Sequence, residues 1–310
     1  MRVILSKKAR FNRKLDKIRD AELAGKVKKR RIRSRAMRKM LNNRLAMVGL
    51  VVFIVILLAC IFAPLLTSYN PETPDLRSIL KPPSREHIFG TDKIGRDLFS
   101  RILYGGRISM LVGLGGALGA SLIGTVIGSF AGYKGGWFDK ITLRVSELFM
   151  AFPQLVLVLM LVTIVGQSMR NIIIIFVLTG WGSVYRQARA RMLSLREEEY
   201  VQSLKAFGLS DLRIVYKHML PNAISPLIVN TTLSTAMFIL EEAALSYLGL
   251  GVPLNIPTWG NILNACQDMY TLQNGWWMWL PVGVVISLFV MSINFVGDGL
   301  RDTTDPSQQG

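Results

Sequence analysis

The sequence predicts an all-α membrane protein with six transmembrane helices, and three observations carry that prediction. Hydrophobic residues make up 51% of the 310-residue chain although its formal net charge is +17, a pairing that requires apolar and charged residues to be segregated. Six stretches carry no Asp, Glu, Lys or Arg at all: 45–66, 108–133, 148–167, 171–185, 223–240 and 275–297. Basic residues collect between these stretches mostly on one side. With the N-terminus inside, residues 1–44, 134–144, 186–222 and the tail hold 29 of the 37 Lys and Arg, so both ends are expected in the cytoplasm.

Residues 1–44 form a basic arm with 18 Lys/Arg against three acids. Such a run attracts anionic lipid or nucleic acid, but juxtamembrane basic residues are what orientation in a bilayer itself demands. The arm is read as a topological anchor, with no nucleic acid as a partner. The transmembrane domain follows over 45–300. Its first run, 45–66, reaches about 33 Å as a helix, enough for a hydrocarbon core of about 30 Å. It begins too late and runs too long for a cleaved leader.

An external loop is expected over 67–107, with Pro71, Pro74, Pro82 and Pro83 inside it. A loop of that length is unlike a bare tether. The second run carries Gly113, Gly115, Gly116, Gly119, Gly124 and Gly128; the pairs Gly115/Gly119 and Gly124/Gly128 have the spacing that lets helix backbones touch, and permits sliding. The third run, 148–167, is expected to kink at Pro153, and the fifth at Pro226. The fourth, 171–185, is short, which puts Arg186 and Arg189 at its cytoplasmic end or snorkelling there. Trp276, Trp277 and Trp279 suit the outer interface, where indoles gather. Cys60 and Cys266 fall in different segments and suggest neither disulfide nor metal site. A short cytoplasmic tail is expected over 301–310.

The stretch 195–222 differs from everything around it. Apolar positions Val201, Leu204 and Ala206 to Leu209 precede Gly208 or flank it, and Leu212, Val215, Tyr216, Met219 and Leu220 follow at spacings of three and four. That is an amphipathic helix on each side of a glycine break. Pro221 is expected to end the second arm. The segment suits either an interfacial helix pair lying on lipid or a docking element gripped by a soluble partner.

Four motifs, in order, carry a resemblance: HIFGTDKIGRDLFSRILYGGR, GYKGGWFDK followed by LFMAFP, EYVQSLKAFGLSDLRIVYKHMLPN, and EAALSYLGLGVPLNIPTWGNIL with FVGDGLRDTTDP. With these the chain resembles the inner-membrane permease subunits of ABC importers of the oligopeptide/dipeptide type, from about residue 41 to 306. The resemblance implies the type I permease architecture, with cytoplasmic coupling helices in the 195–222 loop. Such permeases carry a loop of the form EAA, three residues, Gly, nine residues, Ile-any-Leu-Pro. Gly208, Leu220 and Pro221 keep that spacing, whereas Gln202, Ser203 and Leu204 replace Glu-Ala-Ala and His218 replaces Ile.

The resemblance further implies a bilayer-embedded half-pore for peptides, a homologous second permease, two ATP-binding subunits and an extracytoplasmic binding protein. In coupling to the ATPases, Gly208 is expected to permit the turn. Ala206, Phe207, Leu209 and Leu212 would fill the partner's groove, Asp211, Arg213 and Lys217 would rim it, and Leu220 and Pro221 would close the segment. No G-x-x-x-x-G-K-[S/T] loop occurs, so ATP and Mg are expected on the partner subunits and no cofactor on this chain. The two histidines, His87 and His218, support neither a triad nor a metal centre, and no catalytic residue is expected. Glu241 and Glu242 are adjacent acids in an apolar run; each faces either the pathway or a packing partner. The surfaces offered to a binding protein are 67–107 and 251–274, the latter with Trp259. Relatives of this type also carry nickel, glutathione or sugars. A secondary transporter or channel is the rival reading; it calls for broken helices in inverted repeats or midplane charges, which the sequence does not clearly show.

Overall fold

The computed structural model describes residues 43–304; most of the basic arm and the tail beyond Thr304 lie outside the described residues. Regular structure within them is helical apart from one isolated bridge between Thr91 and Asp97. In chain order the helices are α1 (Arg44–Ile61), α2 (Ala63–Leu66), α3 (Leu98–Lys134), α4 (Gly136–Met150), α5 (Gln154–Val165), α6 (Met169–Arg196), α7 (Glu199–Ala206), α8 (Asp211–Tyr247), α9 (Trp259–Asn264), α10 (Met269–Asn274) and α11 (Trp276–Thr304).

α1, α3, α8 and α11 are each long and apolar enough to cross a membrane, and α4 with α5 passes the same test as a pair bent by 88°. Against the predicted six, four helices among the described residues meet that length and composition, or five with the bent pair. The expected single span over 148–167 is two helices: Pro153 has no backbone donor and disfavours helix at the residue before it, so α4 stops at Met150 and Pro153 caps α5 with ψ 125°. The fourth run is longer than expected. α6 has 28 residues, about 42 Å, but arginines towards both ends confine its apolar run to 171–185. Pro226 sits inside α8 without breaking it.

α3 and α6 pack backbone to backbone. A Cβ on Gly124, Gly128 or Gly132 would lie 2.5 or 2.6 Å from the carbonyl oxygen of Trp181, Tyr185 or Arg189 respectively. Both ladders repeat every four residues, which places each on one helix face. Gly115 belongs to no such contact, since its Cβ would meet only Ile173 at an ordinary 3.5 Å. At the same end of the seam Arg189 Nε and Nη2 donate to the Asp139 carboxylate at 2.5 and 2.6 Å. Arg189 therefore pairs with α4 rather than snorkelling, and this bidentate geometry is the strong form of the interaction.

The expected external loop is ten residues shorter than 67–107, because Asp97 caps α3 through the Ser100 N–H at 2.8 Å and the helix starts at Leu98. The charges that made 98–107 read as loop are accommodated: Arg101 donates to Pro71 O at 2.9 Å, and Arg107 Nε donates to Cys60 O at 2.6 Å, satisfying an end carbonyl of α1. The remaining segment, 67–97, is folded upon itself. Asp92 accepts from Ile94 N, Arg96 N and Arg96 Nε at 2.7–3.0 Å, and Trp277 Nε1 reaches Thr91 O at 3.4 Å. Cys60 and Cys266 are free and buried in one apolar cluster with Trp259, Met278 and Phe289.

Candidate functional site

The 195–222 segment forms an elbow at the far end of α3 from the 67–97 segment. α7 runs eight residues, and its C-terminus closes with Gly208 N–H on Lys205 O at 3.0 Å and Leu209 N–H on Leu204 O at 3.3 Å. These are the two bonds of a Schellman closure, which needs a left-handed residue; Gly208 supplies it with φ +76°. A Cβ there would meet nothing within 4 Å, so glycine is required by backbone conformation and not by space. α8 then begins at Asp211.

Pro221 does not end this arm. α8 continues from Asp211 to Tyr247 through a π-helical stretch, Ile214–Met219, and Pro221 follows it in the first turn of regular α-helix. The wider π register links Leu220 N–H to Val215 O. A proline ring clashes with the carbonyl four residues back in an α-helix, and a π turn relieves that clash. Asn222 Nδ2 takes up the His218 carbonyl at 2.9 Å. The elbow is therefore continuous, through one helix, with the membrane-spanning part of the chain.

Beneath the elbow Val201, Ile214, Val215 and Met219 are buried against Tyr133 and Met192. Tyr133 Oη donates to Asp211 Oδ1 at 3.1 Å, and Tyr216 Oη donates to Val126 O at 3.0 Å. Both bonds tie the elbow to α3. The outer side is different: Phe207 is 81% exposed and Leu212 59%. Ala206, Gly208, Asp211, Arg213, Lys217 and Pro221 are exposed as well, whereas Leu209 and Leu220 lean into the chain's own cluster.

Glu241 and Glu242 point in different directions. Glu242 is fully buried and accepts from Ser109 Oγ of α3 at 2.8 Å and from Ser246 Oγ at 2.7 Å. Ser109 Oγ in turn accepts from Trp259 N at 3.2 Å, and Trp259 Nε1 donates to Ile102 O at 3.0 Å. Trp259, expected on a docking surface, is 0% exposed: its indole fills the joint between α3 and α9. Asn261 Nδ2 gathers the carbonyls of Val252, Pro253 and Ile256 at 2.9–3.1 Å. Glu241 is half-buried and accepts from Gln154 Nε2 of α5 at 3.1 Å.

Tyr133, Met192, Ser109 and Gln154 were not legible as site residues from the sequence. Gly132 carried a signal for the first, because extending the Gly124/Gly128 period by four predicts how closely the end of α3 approaches α6. Among the described residues, no group of three or more His, Cys, Asp or Glu side chains is placed to hold a metal ion.

Residues 124–309 match the family model described as binding-protein-dependent transport system inner membrane component, and residues 33–83 match the N-terminal transmembrane domain of oligopeptide transport permease C. The dipeptide transport system permease protein DppC of Alkalihalophilus pseudofirmus is 40% identical across 88% of this chain and 90% of its own. The oligopeptide transport system permease protein OppC of Bacillus subtilis is 39% identical across 87% of this chain and 88% of its own. Among solved structures, an inward-facing MetNI methionine ABC transporter superposes with a TM-score of 0.51 at 16% identity, covering 66% of this chain and 96% of that one, a likeness of fold alone.

Proposed function

The chain belongs to the family of inner membrane components of binding-protein-dependent transport systems, and from that premise we propose that it forms half of a peptide-conducting pore driven by separate ATP-hydrolysing subunits. As a permease it is a transport subunit and not an enzyme. The peptide cargo is supported by the names of the two relatives. The partners in this reading are a homologous second permease, two ATP-binding subunits that carry ATP and Mg, and a binding protein outside the membrane. The basic asymmetry supports cytoplasmic termini, which puts the elbow inside and the 67–97 segment outside.

The observation that carries the coupling role is the two-sidedness of the elbow. Exposed Phe207 and Leu212 flank the left-handed Gly208, while the opposite side is fixed to α3 by Tyr133 and Tyr216. Exposed aromatic and aliphatic side chains on a rigid support are what a partner's groove takes up. ATP-driven closure of the partner ATPases would move the elbow, and α8 would carry that movement into the bilayer. A ligand shifts such an equilibrium only by its differential affinity for the two states, and ATP on the partners provides that difference.

Reconstitution tests this reading. Proteoliposomes holding this chain with its second permease and ATPases are expected to accumulate peptide only when ATP is inside and binding protein outside. Peptide uptake by the chain without ATPase subunits would overturn it.

A further inference from the structure

We propose that one stripe of α8, formed by Asn230, Ser234, Met237 and Glu241, is the wall of the translocation path, and that Glu241 there receives the ammonium group of a peptide. The inference rests on the import reading and adds a face and a charge to it. At 100° per residue these four positions fall within about 60° of one another. They extend over 12 residues, roughly 16 Å along the axis.

The stripe is open. Met237 is 56% exposed, and its neighbours Leu233 and Leu240 are 38% and 41% exposed. An open apolar face on a membrane helix normally meets lipid, but a carboxylate on that face is costly against hydrocarbon. Nor is Glu241 alone. Ser234 Oγ donates to Asn230 Oδ1 at 3.2 Å, and the buried Asn230 Nδ2 has no partner among the described residues. A polar set spread over three helical turns is longer than a single interhelical hydrogen bond needs, so it fits an aqueous path better than one polar contact with a neighbouring helix.

Charge complementarity selects the occupant. The stripe holds one carboxylate and no Lys or Arg, so it favours a cation, and every unblocked peptide carries one at its N-terminus. Gln154, which donates to Glu241, also lines a cavity at the α4/α5 bend beside Phe149, Phe152, Thr179 and Ser183. That cavity combines apolar walls with hydroxyls and lies next to the carboxylate, as a peptide side chain next to its ammonium group requires.

Cysteine labelling in the reconstituted complex tests both parts. Met237→Cys is expected to react with membrane-impermeant methanethiosulfonates, whereas Leu122→Cys, 68% exposed on α3 and taken as the lipid-facing control, is expected not to. The cationic ethylammonium reagent should outpace the anionic sulfonate at Met237→Cys, and adding Glu241→Gln should cut that preference about fivefold to tenfold. If Met237→Cys stays unreactive with and without ATP, a second permease or lipid covers the stripe and the proposal fails. If it reacts with a preference indifferent to Glu241→Gln, the assignment to Glu241 fails. ATP-driven uptake by the unaltered complex is scored in the same vesicles; its absence would count against the import reading, while the labelling still reports whether the stripe is wet.

Discussion

The two ends of α3 are built on opposite principles. At the Leu98 end, polar groups are buried and answered from within the chain: Glu242 by two serines, Asp97 by Ser100, and Trp259 by the Ile102 carbonyl. At the Lys134 end, polar ties such as Arg189 to Asp139, Tyr133 to Asp211 and Tyr216 to Val126 fasten the helices to one another, and an apolar cluster supports an exposed aromatic, Phe207. A buried polar network whose charged member is answered by two hydroxyls favours one arrangement. An apolar cushion under exposed side chains leaves binding capacity for another molecule. The first end reads as a frame, and the second as a handle.

Glu242→Ala is the most damaging test of the frame. It removes a buried acceptor and leaves the Ser109 and Ser246 hydroxyls unanswered, so a loss of about 3–5 kcal/mol is expected, seen as a lowered thermal midpoint in detergent-purified complex. Glu242→Gln keeps an acceptor and is expected to cost about half as much. Unchanged stability with altered peptide selectivity would move Glu242 from frame to pathway. Phe207→Ala is the matching test of the handle. Folding should be unaffected because the ring is 81% exposed, while association with the ATPase subunits weakens by about 2–3 kcal/mol, or 30-fold to 150-fold, measured by titration of purified subunits. A Phe207→Ala protein that binds its ATPases normally breaks the contrast.

The sequence made the handle more legible than the frame, for a physical reason. The proposed coupling element works through local pattern: a glycine at one φ, apolar positions at helical spacing, and a proline at fixed distance. Such features lie within 26 residues of one another and are readable in order. The frame joins Ser109 to Glu242 across 133 positions, and no local pattern announces that pairing. The same limit explains the errors at boundaries. Residues 98–107 read as loop because their arginines are charged, yet Arg101 and Arg107 are answered by carbonyls of Pro71 and Cys60 that sequence proximity does not reveal. Pro221 read as a terminator because the π stretch that admits it has no compositional mark.

Gly208 separates conformation from contact at the handle. Since a Cβ there has open space, Gly208→Val tests the left-handed backbone alone, at about 1–2 kcal/mol, and Gly208→Asn, which tolerates that conformation, should cost less. Hydrogen exchange over 199–206 is expected to speed up about tenfold in the valine variant and only a few-fold in the asparagine one. No acceleration in either would mean that the residue's role is contact with a partner and not closure of α7.

The smallest effect falls at the frame's own edge, and it shows what burial adds. Lys93 pairs with Asp268 between the 67–97 segment and the cap of α10, and both side chains are more than two-fifths exposed. The Lys93 hydrogen bond, then the Thr271 backbone and hydroxyl, hold the Asp268 carboxyl below its usual range. A depressed carboxylate contributes stability that is present above its unfolded value of about 4 and is lost as pH falls below it. At neutral pH the contribution is whole, but water and salt screen an exposed pair. Asp268→Asn keeps an N-cap acceptor for Thr271 N–H, whose present bond is 2.9 Å, and so removes the charge alone. The thermal midpoint is expected to fall by about 1–3 °C at pH 7 in low salt, with the difference vanishing in about 0.5 M salt and shrinking as pH falls from about 4 toward the depressed folded value. A loss as large as that of Glu242→Ala would mean that the outer segment is held by its surface charge, and that the buried network is not what makes this end rigid.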